Sequence, residues 1–344
     1  MPTIKDVARE AGVSTATVSY VLNSSGNISQ ETRRRVLAAV ERLGYRPSVI
    51  ARGLQAGQSR MIGYSWRPVP PNQFNPILEK FMHSMAEAAA GRDFHVLAFP
   101  STDPADEVMP YREMVASGRV DGFILSNTNL DDRRIRYLMD AGFPFVAFGR
   151  ANPEWEFSWV DVDGSDGLRQ VVEHLHAVGH RRIACLCWPE ESLTGRQRLA
   201  GFCAAMEEAG LAVDAGWIMR VQNDYYQAYE ATVQLLSLPP GRRPTAIAAL
   251  TDLMAMGVMN AAADGGLRVG RELAVTGFDD APITGYLRPS LTSVRQPIAQ
   301  AGEEVVRMLL GLLDGETPSP AASLLKPRLI VRDSTAPDGG QAKG

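Results

Sequence analysis

From Met61 onward the chain alternates short apolar runs with amphipathic segments of helical period, and this alternation limits the fold more than any other feature. Strands are predicted at Met61–Tyr64, His95–Phe99, Gly122–Leu125, Phe145–Phe148, Ile183–Cys187, Ile218–Val221, Ala246–Leu250 and Leu273–Gly277. Helices are predicted at Ile77–Gly91, Gly167–Val178, Leu199–Gly210, Tyr226–Leu236, Met254–Asp264 and Ile298–Leu313. Such alternation builds parallel sheets covered by helices on both faces, and so many strands exceed one compact sheet. The expected body is α/β, with two doubly wound parallel-sheet lobes. A ligand cleft is expected between them, at the carboxyl ends of the strands.

The segment ahead of this body reads differently. Thr3 to Asn23 contains two short helical patterns joined at Gly12, which supplies the backbone freedom of the turn. Thr3 is placed to cap the first helix with Asp6 three residues on, and Ser14 to cap the second. On the second helix Val18, Val21 and Leu22 fall at inward spacing, while Thr15, Ala16, Ser19, Tyr20 and Asn23 share the opposite face. A third helix, capped by Ser29, turns Val36, Val40 and Leu43 inward and carries Arg33, Arg34, Arg35 and Arg42 outside. The result is a small all-α helix-turn-helix headpiece whose exposed face of small, hydrogen-bonding side chains suits a major groove.

Charge follows the same division. Residues 1–60 hold nine Lys or Arg against four acids, leaving 26 basic and 35 acidic residues of the chain's 35 and 39 for the remainder. The overall charge of −4 thus combines a basic arm with an acidic body. Counterion release makes such an arm a salt-dependent ligand of DNA, while the acidic body stays off the polyanion.

Other classes fit poorly. No apolar run reaches a membrane span and no apolar leader opens the chain, so a cytoplasmic protein is expected, with no membrane partner. Cys185, Cys187 and Cys203 form no disulfide framework, and the first two fall on one face of a buried strand with no metal-ligand partners nearby. The five histidines are scattered, and His174 and His176 stand two apart on a helix. No phosphate-cradling loop or nucleophile elbow appears, so neither catalysis, cofactor nor metal is expected. A non-regulatory sugar-binding protein is the alternative, and the basic headpiece speaks against it.

Six further segments complete the pattern: Gly44-Tyr45-x-Pro47, Gly179-His180-Arg181-Arg182-Ile183, Arg198-Leu199-Ala200-Gly201-Phe202, Gly277-Phe278-Asp279-Asp280, Pro289 to Pro297, and Leu329 to Thr335. With the Ile4–Asn23 signature they resemble the LacI/GalR family of bacterial transcription regulators, from Thr3 to about Thr335. The resemblance implies a headpiece at 1–46, a hinge helix or linker at 47–60, a periplasmic-binding-protein-like (type I) effector and dimerisation body at 61–335, and a disordered tail at 336–344. The first lobe would take about 61–160 plus 293–321, and the second about 163–290 plus 323–335. The tail lacks leucine heptads, so a homodimer is the expectation.

The resemblance also assigns roles. Thr15, Ala16 and Tyr20 would read bases; Thr3, Thr17 and Asn23 would hold phosphates, with Ser19 and Ala51 among the contacts to operator DNA. Tyr20 stands where arginine is frequent, and it cannot reproduce a bidentate grip on guanine. Leu54 would wedge into the central base step, unless it rests on the body as an ordinary linker leucine. For the effector, a sugar or sugar derivative by family precedent, the positions are Arg67, Phe74, Leu78 and Arg150 from the first lobe. Thr194, Arg198, Tyr225 (equally Tyr226), Thr251 and Asp279 would come from the second, and Gln296 from a crossing segment. Gly149 stands where many relatives carry an aspartate. Asp252 and Asp280 are read as caps or inter-lobe structure. Effector binding would change operator affinity by coupling to the setting of the lobes, with regulator and DNA together in the nucleoid.

Overall fold

The computed structural model describes residues 2–22, 26, 28–45, 58–66, 75–100, 106–316 and 321–335. Most of the expected hinge and the whole expected tail lie outside these residues. Two units follow one another, Met1–Arg60 and Met61–Gly344.

The first unit holds α1 (Ile4–Ala11), α2 (Thr15–Leu22) and α3 (Gln30–Leu43). Each helix starts where a short polar side chain can satisfy its free amides. The Asp6 carboxylate accepts from the Thr3 amide at 2.9 Å and its hydroxyl at 2.7 Å. Ser14 Oγ accepts from the Thr17 amide at 3.1 Å and Ser29 Oγ from the Thr32 amide at 3.2 Å. Gly12 ends α1 at φ 65°, the left-handed conformation that the turn demands. Val7, Ala8, Ala11, Val18, Val21, Val36 and Ala39 form the core, with Val40 and Leu43 packed at its edge. An Arg42–Glu10 ion pair at 2.7 Å ties α3 to α1.

The second unit contains two six-stranded sheets. The first is built from β1 (Met61–Trp66), β2 (His95–Pro100), β3 (Gly122–Leu125), β4 (Phe145–Phe148), β5 (Trp159–Val162) and β11 (Ala322–Leu325), in the order β11-β5-β4-β3-β1-β2, all parallel. The second comprises β6 (Ile183–Cys187), β7 (Ile218–Arg220), β8 (Ala246–Ala249), β9 (Ala274–Asp279), β10 (Thr292–Arg295) and β12 (Arg328–Ile330), in the order β12-β10-β9-β8-β6-β7. Its strands are parallel except β12, which runs antiparallel to β10.

Helices α4 (Pro76–Ala90) and α11 (Ile298–Leu313) cover one face of the first sheet, burying Phe81, Met85, Val305 and Leu309. Helices α5 (Met109–Ser117) and α6 (Arg133–Asp140) contribute Tyr111, Met114, Ile135 and Leu138 to the other. The second sheet is flanked by α7 (Gly164–Ala177), α8 (Leu193–Glu208), α9 (Tyr225–Leu236) and α10 (Asp252–Asp264).

Two allocations differ from the sequence reading. Residues from 293 were expected in the first lobe, but β10 hydrogen-bonds to β9 in the second sheet, so the return begins only after Arg295. Residues from 323 were expected in the second lobe, but β11 pairs with β5 along the first sheet. The pairing partner decides the lobe, and neither short strand announces its partner. The chain thus crosses between lobes near Asp163, Gln296 and Pro327, and the crossings touch one another: the Asp163 amide donates to Leu325 O at 2.8 Å.

Candidate functional site

In the headpiece, Thr15, Ala16 and Tyr20 are exposed on one side of α2, Tyr20 at 51%, with Gly26 lying against its ring. Ser19 and Thr17 are half-buried, and the Thr17 hydroxyl lies 2.9 Å from that of Ser14. Thr3 is exposed, and the hydrogen bonds that it gives Asp6 hold that carboxyl below its ordinary 3.8. Asn23, Ala51 and Leu54 fall outside the described residues.

In the body, loops leaving the carboxyl ends of both sheets surround a cavity of about 230 Å³. The position follows from the parallel topology, which brings every strand end of a lobe to one edge. From the second lobe, the loop after β6 delivers Trp188, the first two turns of α8 Thr194 and Arg198, the loop after β7 Asn223, the loop after β8 Thr251, and β9 Asp279. From the first lobe come Tyr64, the loop Ser126–Asn127–Thr128 after β3, Phe148 and Gly149 after β4, Asp161 on β5, and Asn75, Leu78 and Phe81 of α4 and its cap. Phe81 and Phe148 stack at 4.6 Å between ring centres.

Of the charged groups of the second-lobe wall, Arg198 is buried and Asp279 half-buried. Arg198 is 5% exposed; its guanidinium lies 3.6 Å from the centre of the Phe278 ring and 5.3 Å from that of Trp188, and donates to Leu250 O at 2.6 Å. Its Nε and the Trp188 Nε1 have no hydrogen-bond partner. Burial lowers Arg198 from 12.5 to about 10 despite the nearby Asp279, Asp161 and Asp252, so it remains a cation at neutral pH. Burial raises Asp279 from 3.8 to about 6, opposed by the charge of Arg198 and by Gln296, whose Nε2 donates to it at 2.7 Å. The Thr251 hydroxyl donates to Asn223 Oδ1 at 2.7 Å and caps α10.

Asp252 and Asp280 take structural parts. Asp252 accepts from Ser293 Oγ at 2.5 Å and from the Ala281 amide at 2.8 Å. Asp280 pairs with Arg295 and Arg332, each at 2.6 Å.

Of the expected effector positions, Leu78, Thr194, Arg198, Thr251, Asp279 and Gln296 stand together in the cavity wall. Tyr225 stands apart, accepting from Asn260 Nδ2 at 2.6 Å. Arg150 pairs instead with Asp161 at 2.7 Å and with Gln197 Oε1 at 2.7 Å. Arg67 and Phe74 lie outside the described residues. Sequence reading passed over Ser126–Thr128, Asp161, Trp188 and Asn223. Ser126 and Trp188 directly follow predicted strands, so the strand-end rule held a signal for them; β5, which carries Asp161, was not predicted. Gly149 adopts φ 118°, and a Cβ there would lie 2.5 Å from Thr128 Oγ1, so a side chain at this position would be strained and would require Thr128 to shift.

Among the described residues no helix is long and apolar enough to cross a membrane, and no cluster of metal-ligating side chains occurs.

Comparison with known proteins places these features together. Residues 3–48 match the family model described as bacterial regulatory proteins, lacI family, and 172–335 that of a periplasmic binding protein-like domain. The HTH-type transcriptional repressor PurR of Escherichia coli O139:H28 is 33% identical over 338 residues, 98% of this chain and 97% of that protein. A LacI-family regulatory protein from Chloroflexus aggregans is 48% identical, over 80% of this chain and 98% of that one, with a TM-score of 0.78. The transcriptional regulator CelR in complex with cellobiose is 31% identical (97% and 100% covered, TM-score 0.74). The lac repressor dimer bound to operator and the anti-inducer ONPF is 29% identical (97% and 99%, TM-score 0.85).

Proposed function

The chain belongs to the LacI family of bacterial regulatory proteins, and from that premise we propose that it is a repressor whose dimer binds a pseudo-palindromic operator in the cytoplasm and is switched by a sugar or sugar derivative in the inter-lobe cleft. The observation that carries this reading is the cavity wall, where a buried guanidinium, a half-buried carboxylate and the Gln296 amide converge beside stacked aromatic rings, in a chain that also carries a helix-turn-helix. Hydroxyl groups of a pyranose both donate and accept, so Asp279 accepts their hydrogen bonds while Arg198 and Thr194 donate to their oxygens. Phe81 and Phe148 offer an apolar face to the ring's C–H side. The CelR–cellobiose complex, a relative by sequence and fold, supports the ligand class.

On the DNA side, Thr15, Ala16 and Tyr20 are the proposed base-reading residues and Thr3, Thr17 and Asn23 the proposed phosphate contacts, with Leu54 the proposed minor-groove wedge and Ser19 and Ala51 further proposed contacts. The lac repressor dimer on its operator supports both the dimer and the half-site arrangement.

A gel shift of the full chain on its own upstream DNA tests the reading. A retarded band whose affinity falls steeply between about 50 and 200 mM salt is expected. A member of a mono- and disaccharide panel should change that affinity and, at 100 times its dissociation constant, stabilise the protein by about 2.7 kcal/mol. No band at low salt with or without the sugars would overturn the regulator; a band that no sugar alters would overturn the ligand class.

A further inference from the structure

We infer that Arg150 is a strut across the mouth of the cleft, positioning Asp161 in the cavity wall while tying it to α8 of the opposite lobe, and not a contact for the effector. Arg150 leaves the first lobe immediately after Gly149, where the backbone is pinned: Thr128 Oγ1 donates to Arg150 O at 2.6 Å and would have to shift to admit a side chain at 149. Its guanidinium then forks. Nε meets Asp161 Oδ2 at 2.7 Å, and the other arm reaches Gln197 Oε1 at 2.7 Å, on a helix of the second lobe. The Trp159 ring lies beneath the fork at 5.7 Å. Asp161 is held at both oxygens, because its Oδ1 accepts from the Val162 amide at 2.8 Å.

The planar fork of arginine suits this task, since its donors point in fixed and different directions. Asp161 lines the cavity whereas Gln197 does not. A ligand group that bonds to Asp161 shares that carboxylate with Arg150, whose other arm spans the lobes to Gln197, so occupancy and lobe setting become coupled through the one guanidinium. That last consequence rests on the regulator reading; the strut rests on geometry alone.

Hydrogen–deuterium exchange of the full chain, without DNA or sugar, separates the two. Gln197→Leu, a change in the second lobe, should speed exchange of first-lobe amides 126–131 and 149–151 by about threefold or more. Arg150→Ala should do the same to second-lobe amides 193–199. Gln197→Glu, which gives the fork a charged acceptor, should slow exchange at the same first-lobe amides. A merely local role moves only amides near the substitution. Changes confined to the substituted lobe, or no change for the Gln197 variants, would overturn the strut whatever the gel shift shows.

Discussion

The two lobes share a sheet plan and differ in where they keep their charges. The first buries rings, among them Phe99, Tyr111, Phe123 and Phe145, around an ion pair: Arg134 and Asp132 are each 1% exposed and meet at 2.7 Å. That guanidinium also donates to Ser126 O and Asn127 O, each at 3.1 Å, so a closed internal pair holds the loop that faces the ligand. The second lobe fills its core mainly with Ala, Leu and Val and carries buried charge in the cavity wall, where Arg198 leaves a donor unpartnered. A charge closed on itself shapes a site; a charge left open can recognise something.

The comparison can be broken most forcefully at Arg134. Arg134→Met leaves Asp132 buried without its partner and should cost about 3–5 kcal/mol in urea unfolding. Adding Asp132→Leu should regain most of that loss, short of the helix cap that Asp132 also provides. An equal loss in single and double variants would show that the pair is not a closed unit.

Acid should pull the lobes in opposite directions. Burial alone would raise Asp132, but the hydrogen bonds and charge of Arg134 outweigh it and hold the group below 3.8. Its stabilisation is therefore present above the ordinary value and lost as the pH falls through the lower folded one. Asp279 is raised from 3.8 to about 6, so the folded state takes up that proton first. The cost of its buried charge is present above that value and is relieved as the pH falls toward 3.8. Asp279→Asn should remove this window from the pH dependence of the unfolding midpoint, a slope of at most about 1.4 kcal/mol per pH unit. An unchanged slope would remove Asp279 as the titrating group.

The smallest effect sharpens the contrast at the helix starts. Ser192 caps α8 with a neutral hydroxyl, accepting from the Gly195 amide at 3.1 Å, whereas Asp132 is cap and ion-pair partner at once. Ser192→Ala should cost about 1 kcal/mol by thermal unfolding, well below Arg134→Met. A loss as large would mean that Ser192 holds more than a helix end.

The same difference governs what could be read in the sequence. The second-lobe wall was legible because Thr194, Arg198, Thr251 and Asp279 sit in or beside recognisable segments. Most of the first-lobe wall was not. Ser126 and Asn127 are held by Arg134, sixty-nine positions from the Ser65 that it also reaches, and an arginine in the second position of a charged helix reads as solvent-facing. Helix α6 and helix α5 escaped prediction because both are short: Arg133–Asp140 has eight residues, half of them charged, and Met109–Ser117 has only nine. Strand β5 spans only Trp159–Val162, and its aspartate interrupts the run of β-forming Trp and Val, so no continuous apolar run marks it. The headpiece was the most legible region, since its caps, turn and inward residues are all local.

The crossings have a consequence for synthesis of the chain. The first sheet begins at Met61, yet its edge strand is Ala322–Leu325 and one face is covered by Ile298–Leu313. A ribosome must therefore translate nearly the whole polypeptide before the lobe it started first can close, and the second lobe, whose last strand is Arg328–Ile330, is completed almost at the same moment. Nascent chains halted ahead of Ile298 expose the apolar face that α11 would cover, and premature termination there yields a substrate for proteases and chaperones, with neither lobe complete.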